Sequence, residues 1–370
     1  MIKVAHILGR LDRGGVETWL KDVILYSDKD KYQMDFILIK EGEGIYDNIV
    51  LNEGSRLYIV PLAYGILSFS NNLYELFRKE KFDIVHSHLH FFSGYICFIA
   101  FLAGVPVRIS HSHNDTSAVD NLGNSYRKLY LKLQHYLISK FSNQKLACSE
   151  WAGNALFGRK GFEVLHCGID FRNFIKTDFS KRNTILEELN IPDNALCVGH
   201  VGRFQEQKNH SFLIDIFYKF NQMNPNSYLL LIGDGPLKES IKEKVLTKDL
   251  REHVIFLNER NDVNIFMRDV FDVLLFPSLH EGLSIVMLES QMAGLQLLVS
   301  DNIASGEVIV IKENVFSMSL KNSSQDWADK LYEIVYQTNR LDYNEVILKM
   351  GRSSFNIQTS LNKLYNIYSR

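Results

Sequence analysis

The chain is expected to fold as two α/β units, each a parallel sheet covered by helices on both faces. Short apolar runs alternate with longer polar or amphipathic segments along most of its length, the pattern of parallel strands joined by crossover helices. Glycine-rich turns close several of those runs, where the chain leaves a strand for a helix. The 370 residues exceed one core of ordinary size, and a polar stretch at residues 170–194 breaks the alternation. The expected division is residues 1–175, residues 176–352 and a terminal helix at residues 353–370.

Composition narrows the function classes. Hydrophobic residues make up 46% of the chain and charged residues 23%, an ordinary globular balance. A formal net charge of −2 argues against nucleic acid as a partner. The cysteines, Cys97, Cys148, Cys167 and Cys197, have no metal-ligand spacing and read as reduced, buried thiols of a cytoplasmic protein. The start, MIKVAHIL, reads as a strand rather than a signal peptide. The longest apolar run, residues 94–105, falls short of the ~20 residues that cross a bilayer and reads as a buried helix.

In the first half, residues 2–8 form a strand, residues 9–15 a glycine- and charge-rich loop, and Val16 opens a helix. Gly14 and Gly15 there either let backbone approach a ligand or serve a turn with positive φ. Strands follow at residues 34–39, 57–60, 84–87, 107–110, 145–148 and 164–166. Ligands of such sheets sit beyond the carboxyl ends of the strands. His86, His88 and His90 fall at one such end, His111 and His113 at another. The i, i+2 spacing sends neighbours to the same side, which zinc ligands, a hydrogen-bonded wall or substrate contacts would all produce. Residues 121–149 carry Arg127, Lys128, Lys132, Lys140 and Lys145 interleaved with Tyr126, Tyr130, Tyr136 and Phe141, and no acidic residue. That is either a solvated helix face with aromatics turned to the core or a surface that docks on anionic lipid.

The second half opens with a strand at residues 195–201, then Gly202-Arg203 and a turn through Lys208 into a helix near His210. Two cations at a strand end can neutralise a departing diphosphate. A strand at residues 229–232 ends in Gly233-Asp234-Gly235-Pro236. Another, at residues 254–257, leads to Asn258 and to Arg260, which is expected to stack on a nucleobase. Residues 276–301 read as strand end, tight loop, helix and strand. Glu281 and Gly282 lie in the loop, Leu283-Ser284-Ile285 open the helix, Glu289 lies inside it, and Gly294 stops it. The helix start offers free amides and positive potential to a phosphate. Carboxylates on either side can accept hydrogen bonds from hydroxyls, so the arrangement suits a nucleotide-sugar. A helix from about Asp326 and the apolar positions Phe355, Leu361, Leu364, Ile367 and Tyr368 complete the chain.

The string FPSLHEGLSIVMLESQMAGLQLLVSD resembles the glutamate-pair signature of retaining GT-B glycosyltransferases, in particular the bacterial enzymes of family 4. Gly14-Gly15-Val16-Glu17, VRISHSHN, Cys167-Gly168-Ile169-Asp170, the segment from Gly202 to Lys208 and Gly233-Asp234-Gly235-Pro236 resemble further motifs of that family. The resemblance implies a GT-B fold, two Rossmann-like domains facing across a cleft, with the terminal helix crossing back to the first. It implies transfer of a hexosyl unit, with retention, from a UDP-sugar to a saccharide acceptor, lipid-linked in capsule, exopolysaccharide or O-antigen assembly. Arg203 and Lys208 would grip the donor phosphates, Glu281 the sugar hydroxyls and Glu289 the ribose. Gly15 would face the diphosphate, Gly235 would lie under the nucleotide, and His113, with His111 as the alternative register, would stand beside the anomeric carbon. His88 would line the cleft. No metal or other cofactor is expected, because the one Asp-x-Asp string, Asp28-Lys29-Asp30, lies in a polar loop after the first helix. A GT-B sugar-nucleotide epimerase and a non-catalytic nucleotide-sugar-binding subunit are the alternatives. A dinucleotide-dependent oxidoreductase lacks the G-x-G-x-x-G turn it would need.

Overall fold

Seven strands build the first sheet: β1 (Ile2–Leu8), β2 (Tyr32–Leu38), β3 (Leu57–Ile59), β4 (Ile84–Ser87), β5 (Val107–Ser112), β6 (Gln144–Ala147) and β7 (Glu163–Val164). All pair in parallel in the order β3-β2-β1-β4-β5-β6-β7, so the strand order reverses between β1 and β4. The computed structural model describes residues 1–12, 14–114, 125–159, 161–174, 181–281, 284–303 and 307–370. Strand alternation sorts the first sheet's side chains. Ala5, Ile7 and Val85 point into a core with Phe69, Leu73 and Phe77 of the helix Ile66–Glu80. In that core also lie Ile96, Ile99 and Ala100 of the helix Ser93–Leu102, the apolar run that reads as buried from sequence. The opposite parity sends His6 and His86, which pair across β1 and β4, to the other face. Strand β5 runs to Ser112, two residues past its expected end, so His111 lies within the strand and not beyond it.

The C-terminal helix Ile357–Tyr368 belongs to this first unit. The indole of Trp19 donates to Ser360 Oγ at 3.2 Å, the amide of Asp28 donates to Tyr365 Oη at 2.8 Å, and Ile169 bridges Asn356. The apolar positions expected for it, Phe355, Leu361, Leu364, Ile367 and Tyr368, are all buried.

Six strands build the second sheet: β8 (Leu196–Val201), β9 (Ser227–Ile232), β10 (Val254–Phe256), β11 (Val273–Phe276), β12 (Gln296–Ser300) and β13 (Val315–Met318). Their order is β10-β9-β8-β11-β12-β13, again parallel, with the reversal between β8 and β11. Its core packs Leu213, Phe217 and Phe220 of the helix His210–Met223 against Trp327 and Leu331 of the helix Ser324–Gln337. The compact units are Met1–Asp170 with Ser354–Arg370, and Phe171–Ser353. The boundary expected after residue 175 lies outside the described residues. Among the described residues, no helix is long and apolar enough to cross a membrane.

Candidate active site

The carboxyl ends of β8, β9 and β11 position the second unit's charged side chains. Two turns meet there at backbone distance. The amide of Gly202 donates to Ile232 O, and that of Phe204 to Asp234 O, both at 2.9 Å. A Cβ on Gly235 would lie 2.6 Å from Phe204 O and 2.8 Å from Phe204 N, and φ there is +153°. Glycine is therefore required both by space and by backbone conformation. Asn258 opens the turn after β10. It adopts φ +56°, accepts from the amide of Gly233 at 2.8 Å, and its Oδ1 accepts from Lys238 Nζ at 2.5 Å. Asparagine holds the left-handed turn because its short polar side chain bonds locally.

Residues 205–209 are stitched to the loop after β11. The amide of Leu279 donates to Gln207 O at 2.8 Å, Gln207 Nε2 to His280 O at 2.9 Å, and Asn209 Nδ2 to Pro277 O at 3.1 Å. These bonds bring Lys208 Nζ to 2.6 Å from Glu281 Oε1, with side chains only 16% and 9% exposed. Gln207 Nε2 reaches the other oxygen of Glu281 at 3.4 Å, and Lys208 Nζ lies 4.9 Å from the centre of the Phe276 ring. The ammonium is thus held by a carboxylate on one side and an aromatic face on another. Arg203, exposed, has no carboxylate partner among the described residues. Ser284 caps the helix Ile285–Met292, its Oγ accepting from the amide of Met287 at 3.4 Å. The half-buried Glu289 follows one turn in. Gly282 and Leu283 lie outside the described residues. Arg260 makes two bonds of 2.7 Å to Asp262 and lies 4.6 Å over the Phe266 ring. Asp262 raises its pKa, and a nucleobase stacking on this guanidinium would add to contacts it already has.

In the first unit, Gly14 caps the helix Gly15–Tyr26 in extended conformation, with φ −159°, and neither it nor Gly15 has positive φ. The turn explanation therefore fails. A Cβ on Gly14 would meet only the carboxylate end of the flexible Glu17 side chain, which can swing aside, so space does not require glycine there either. Burial raises the pKa of that carboxyl group. His88, His111 and His113 come together, as the same-side spacing requires. His88 Nδ1 lies 2.9 Å from His113 Nε2, and His86 Nε2 lies 3.0 Å from His111 Nδ1. Asp28 is a turn cap, its Oδ1 accepting from the amides of Asp30 and Lys31 at 3.2 Å.

Two members of these networks escape sequence reasoning. Gln207 holds Glu281 from the side opposite Lys208, and only its adjacency to Lys208 hinted at it. His6 bonds His88 Nε2 through Nδ1 at 3.0 Å. Its signal was a polar ring inside the otherwise apolar β1.

Residues 13–173 match the family described as Glycosyltransferase Family 4, and residues 181–345 that described as Glycosyl transferases group 1. EpsF of Bacillus subtilis (strain 168), named as a glycosyltransferase, is 32% identical over 378 residues, which cover 99% of this chain and 96% of EpsF. The UDP-Gal:alpha-D-GlcNAc-diphosphoundecaprenol alpha-1,3-galactosyltransferase of Escherichia coli is 28% identical over 329 residues, covering 84% of this chain and 82% of that one. The solved structure of Anabaena Alr3699/HepE in complex with UDP-glucose is similar with a TM-score of 0.80 at 19% identity, covering 100% of both chains.

Proposed function

The chain belongs to the family 4 glycosyltransferases of GT-B fold, and on that premise we propose that it moves a hexosyl unit from a UDP-sugar to a saccharide acceptor with retention, in bacterial surface-polysaccharide assembly. The observation that carries the reading is the Lys208–Glu281 pair, 2.6 Å apart in the same strand-end site as Arg203. A transferring sugar becomes oxocarbenium-like while negative charge builds on the departing diphosphate. Lys208, Arg203 and the amides at the start of the helix Ile285–Met292 supply positive potential for that charge. Glu281, already fixed through both oxygens, accepts from a sugar hydroxyl, and Glu289 accepts from the ribose. The proposed reaction needs no metal ion, since the leaving phosphate can take the acceptor's proton. Neither glutamate is a general base, and the paired-carboxylate geometry of glycosidases is the wrong template.

The E. coli relative's name supports donor, acceptor and stereochemistry together: UDP-Gal, a diphosphoundecaprenol-linked sugar and an alpha product. UDP-hexoses of this kind are alpha-linked, so an alpha product means retention. A thermal-shift panel of nucleoside diphosphates and their sugars tests the reading. UDP at a hundred times its Kd adds about 2.7 kcal/mol, a rise of roughly 5–10 °C for a unit of this size. Arg203→Ala should erase most of it. A response to ADP or GDP with none to UDP would change the base, and silence from every nucleotide would remove the site.

A lipid-linked acceptor places the enzyme at a membrane face, and the helix Ser125–Phe141 suits that position. Arg127, Lys128, Lys132 and Lys140 are exposed on it. Tyr126, Leu129, Leu133 and Tyr136 are also exposed, so these aromatics do not enter the core. Each cation near an anionic surface contributes about 1 kcal/mol. The chain should sediment with vesicles containing phosphatidylglycerol and not with purely zwitterionic ones, and Lys128→Glu/Lys132→Glu should release it. Equal sedimentation with both vesicle types would end the idea.

A further inference from the structure

We propose that His88, His111 and His113 form a binding site for one divalent transition-metal ion, zinc by its chemistry. The three rings lie on one face of the first sheet beneath Trp19, whose ring centre is 5.6 Å from that of His111 in an edge-on arrangement. One ligand atom from each lies within 4.8 Å of the other two. Zinc–nitrogen bonds of about 2.0–2.1 Å in tetrahedral array set ligand nitrogens roughly 3.3 Å apart, so small ring movements close the set.

What distinguishes the triad is how each ring is held from outside. His111 Nδ1 faces His86 Nε2 at 3.0 Å, and His86 Nδ1 faces Tyr368 Oη at 2.8 Å. His88 Nε2 faces His6 Nδ1 at 3.0 Å, and His113 Nδ1 faces Cys167 Sγ at 3.8 Å. With the outer nitrogens protonated, every outer N–H has an acceptor, His111 Nε2 has no partner, and the lone pairs of His88 Nδ1 and His113 Nε2 face each other at 2.9 Å, a contact that an ion between them would replace. Such outer bonds orient the ligands of zinc sites and fix their tautomers. His111 Nε2 is buried with no hydrogen-bond partner, an unmade bond that an ion would supply. The neighbouring trio His6, His86 and His88 is a poorer site, because both nitrogens of His86 are spent on partners outside that trio, His111 and Tyr368, whereas His88 Nδ1 in the favoured triad faces only another of its ligands.

The donor set selects the ion. Three imidazoles without a carboxylate suit zinc, cobalt, nickel or copper and not magnesium or calcium. His88, the least buried of the three, marks the entry side. The ion takes no part in the transfer proposed above.

Chelator-treated full-length protein titrated with Co2+ tests the site. One equivalent should bind with the visible d–d absorption of a nitrogen-ligated, low-coordinate ion, and Zn2+ should displace it. His111→Asn should abolish the band. Tyr368→Phe, which keeps the buried ring, should weaken binding roughly tenfold by loosening the His86–His111 relay, and it serves if His111→Asn does not fold. His210→Asn in the second unit, where both ring nitrogens also lack partners, should leave the band unchanged. Absence of a saturable band, a band undiminished in His111→Asn or in Tyr368→Phe, or one lost in His210→Asn would overturn the proposal.

Discussion

Lys208→Ala is expected to lower the transfer rate by about two to three orders of magnitude, the ~2.7–4 kcal/mol that one preorganised charge-stabilising donor supplies. The variant also strands Glu281, whose side chain is only 9% exposed and whose Oε1 would lose its 2.6 Å partner. Removing one member of a buried pair costs stability because the survivor keeps its charge without compensation, whereas removing both can be nearly neutral. The two effects are separable. Lys208→Ala/Glu281→Gln should regain most of the stability lost in Lys208→Ala, measured by denaturant unfolding, and none of the rate, measured as kcat/KM at saturating acceptor. Recovery of transfer in the double variant would mean that Lys208 only restrains Glu281 and does not meet the diphosphate.

This pair shows where sequence reading stops. Lys208 and Glu281 both read as site residues, one for phosphate and one for sugar, yet nothing in either local motif joins residues 73 positions apart. Their meeting follows from β8 and β11 lying side by side at the reversal of strand order, which is a property of the sheet and not of either turn. Strands buried on both faces, such as β8 and β11, were legible because their apolar runs are nearly continuous. Strand β13, VFSM, is only half-buried at the sheet edge, and neither it nor the helix Tyr343–Gly351 was expected. His6 was missed for a related reason: a continuous apolar run hides which residues share a face, and only the register of β1 with β4 turns it toward His86. Gly233 and Gly235 were legible as turns and are required by positive φ and by rigid backbone contacts, whereas at Gly14 neither backbone conformation nor a rigid neighbour demands glycine.

Gly233→Ala should be among the most damaging single substitutions in the second unit. Gly233 has φ +143°, and an added Cβ would fall on the carbonyl oxygen of Gly202 and lie 2.9 Å from its carbon. Neither atom can yield without moving the turn that carries Arg203, because the Gly202 amide is bonded to Ile232 O at 2.9 Å. Strained φ and overpacking each cost about 1–3 kcal/mol, which together lower the melting temperature by roughly 4–24 °C. Gly294→Ala isolates the first term: φ there is +70°, and the new Cβ would meet only Tyr343 and Val346, at 3.6 and 3.8 Å. At a temperature where both variants are folded, Gly233→Ala should bind UDP more weakly than the parent and Gly294→Ala equally well. The damage at Gly233 then reaches the phosphate site through the backbone of Gly202 alone. Equal melting shifts in the two variants, with UDP affinity intact in both, would show that the two turns are not mechanically coupled.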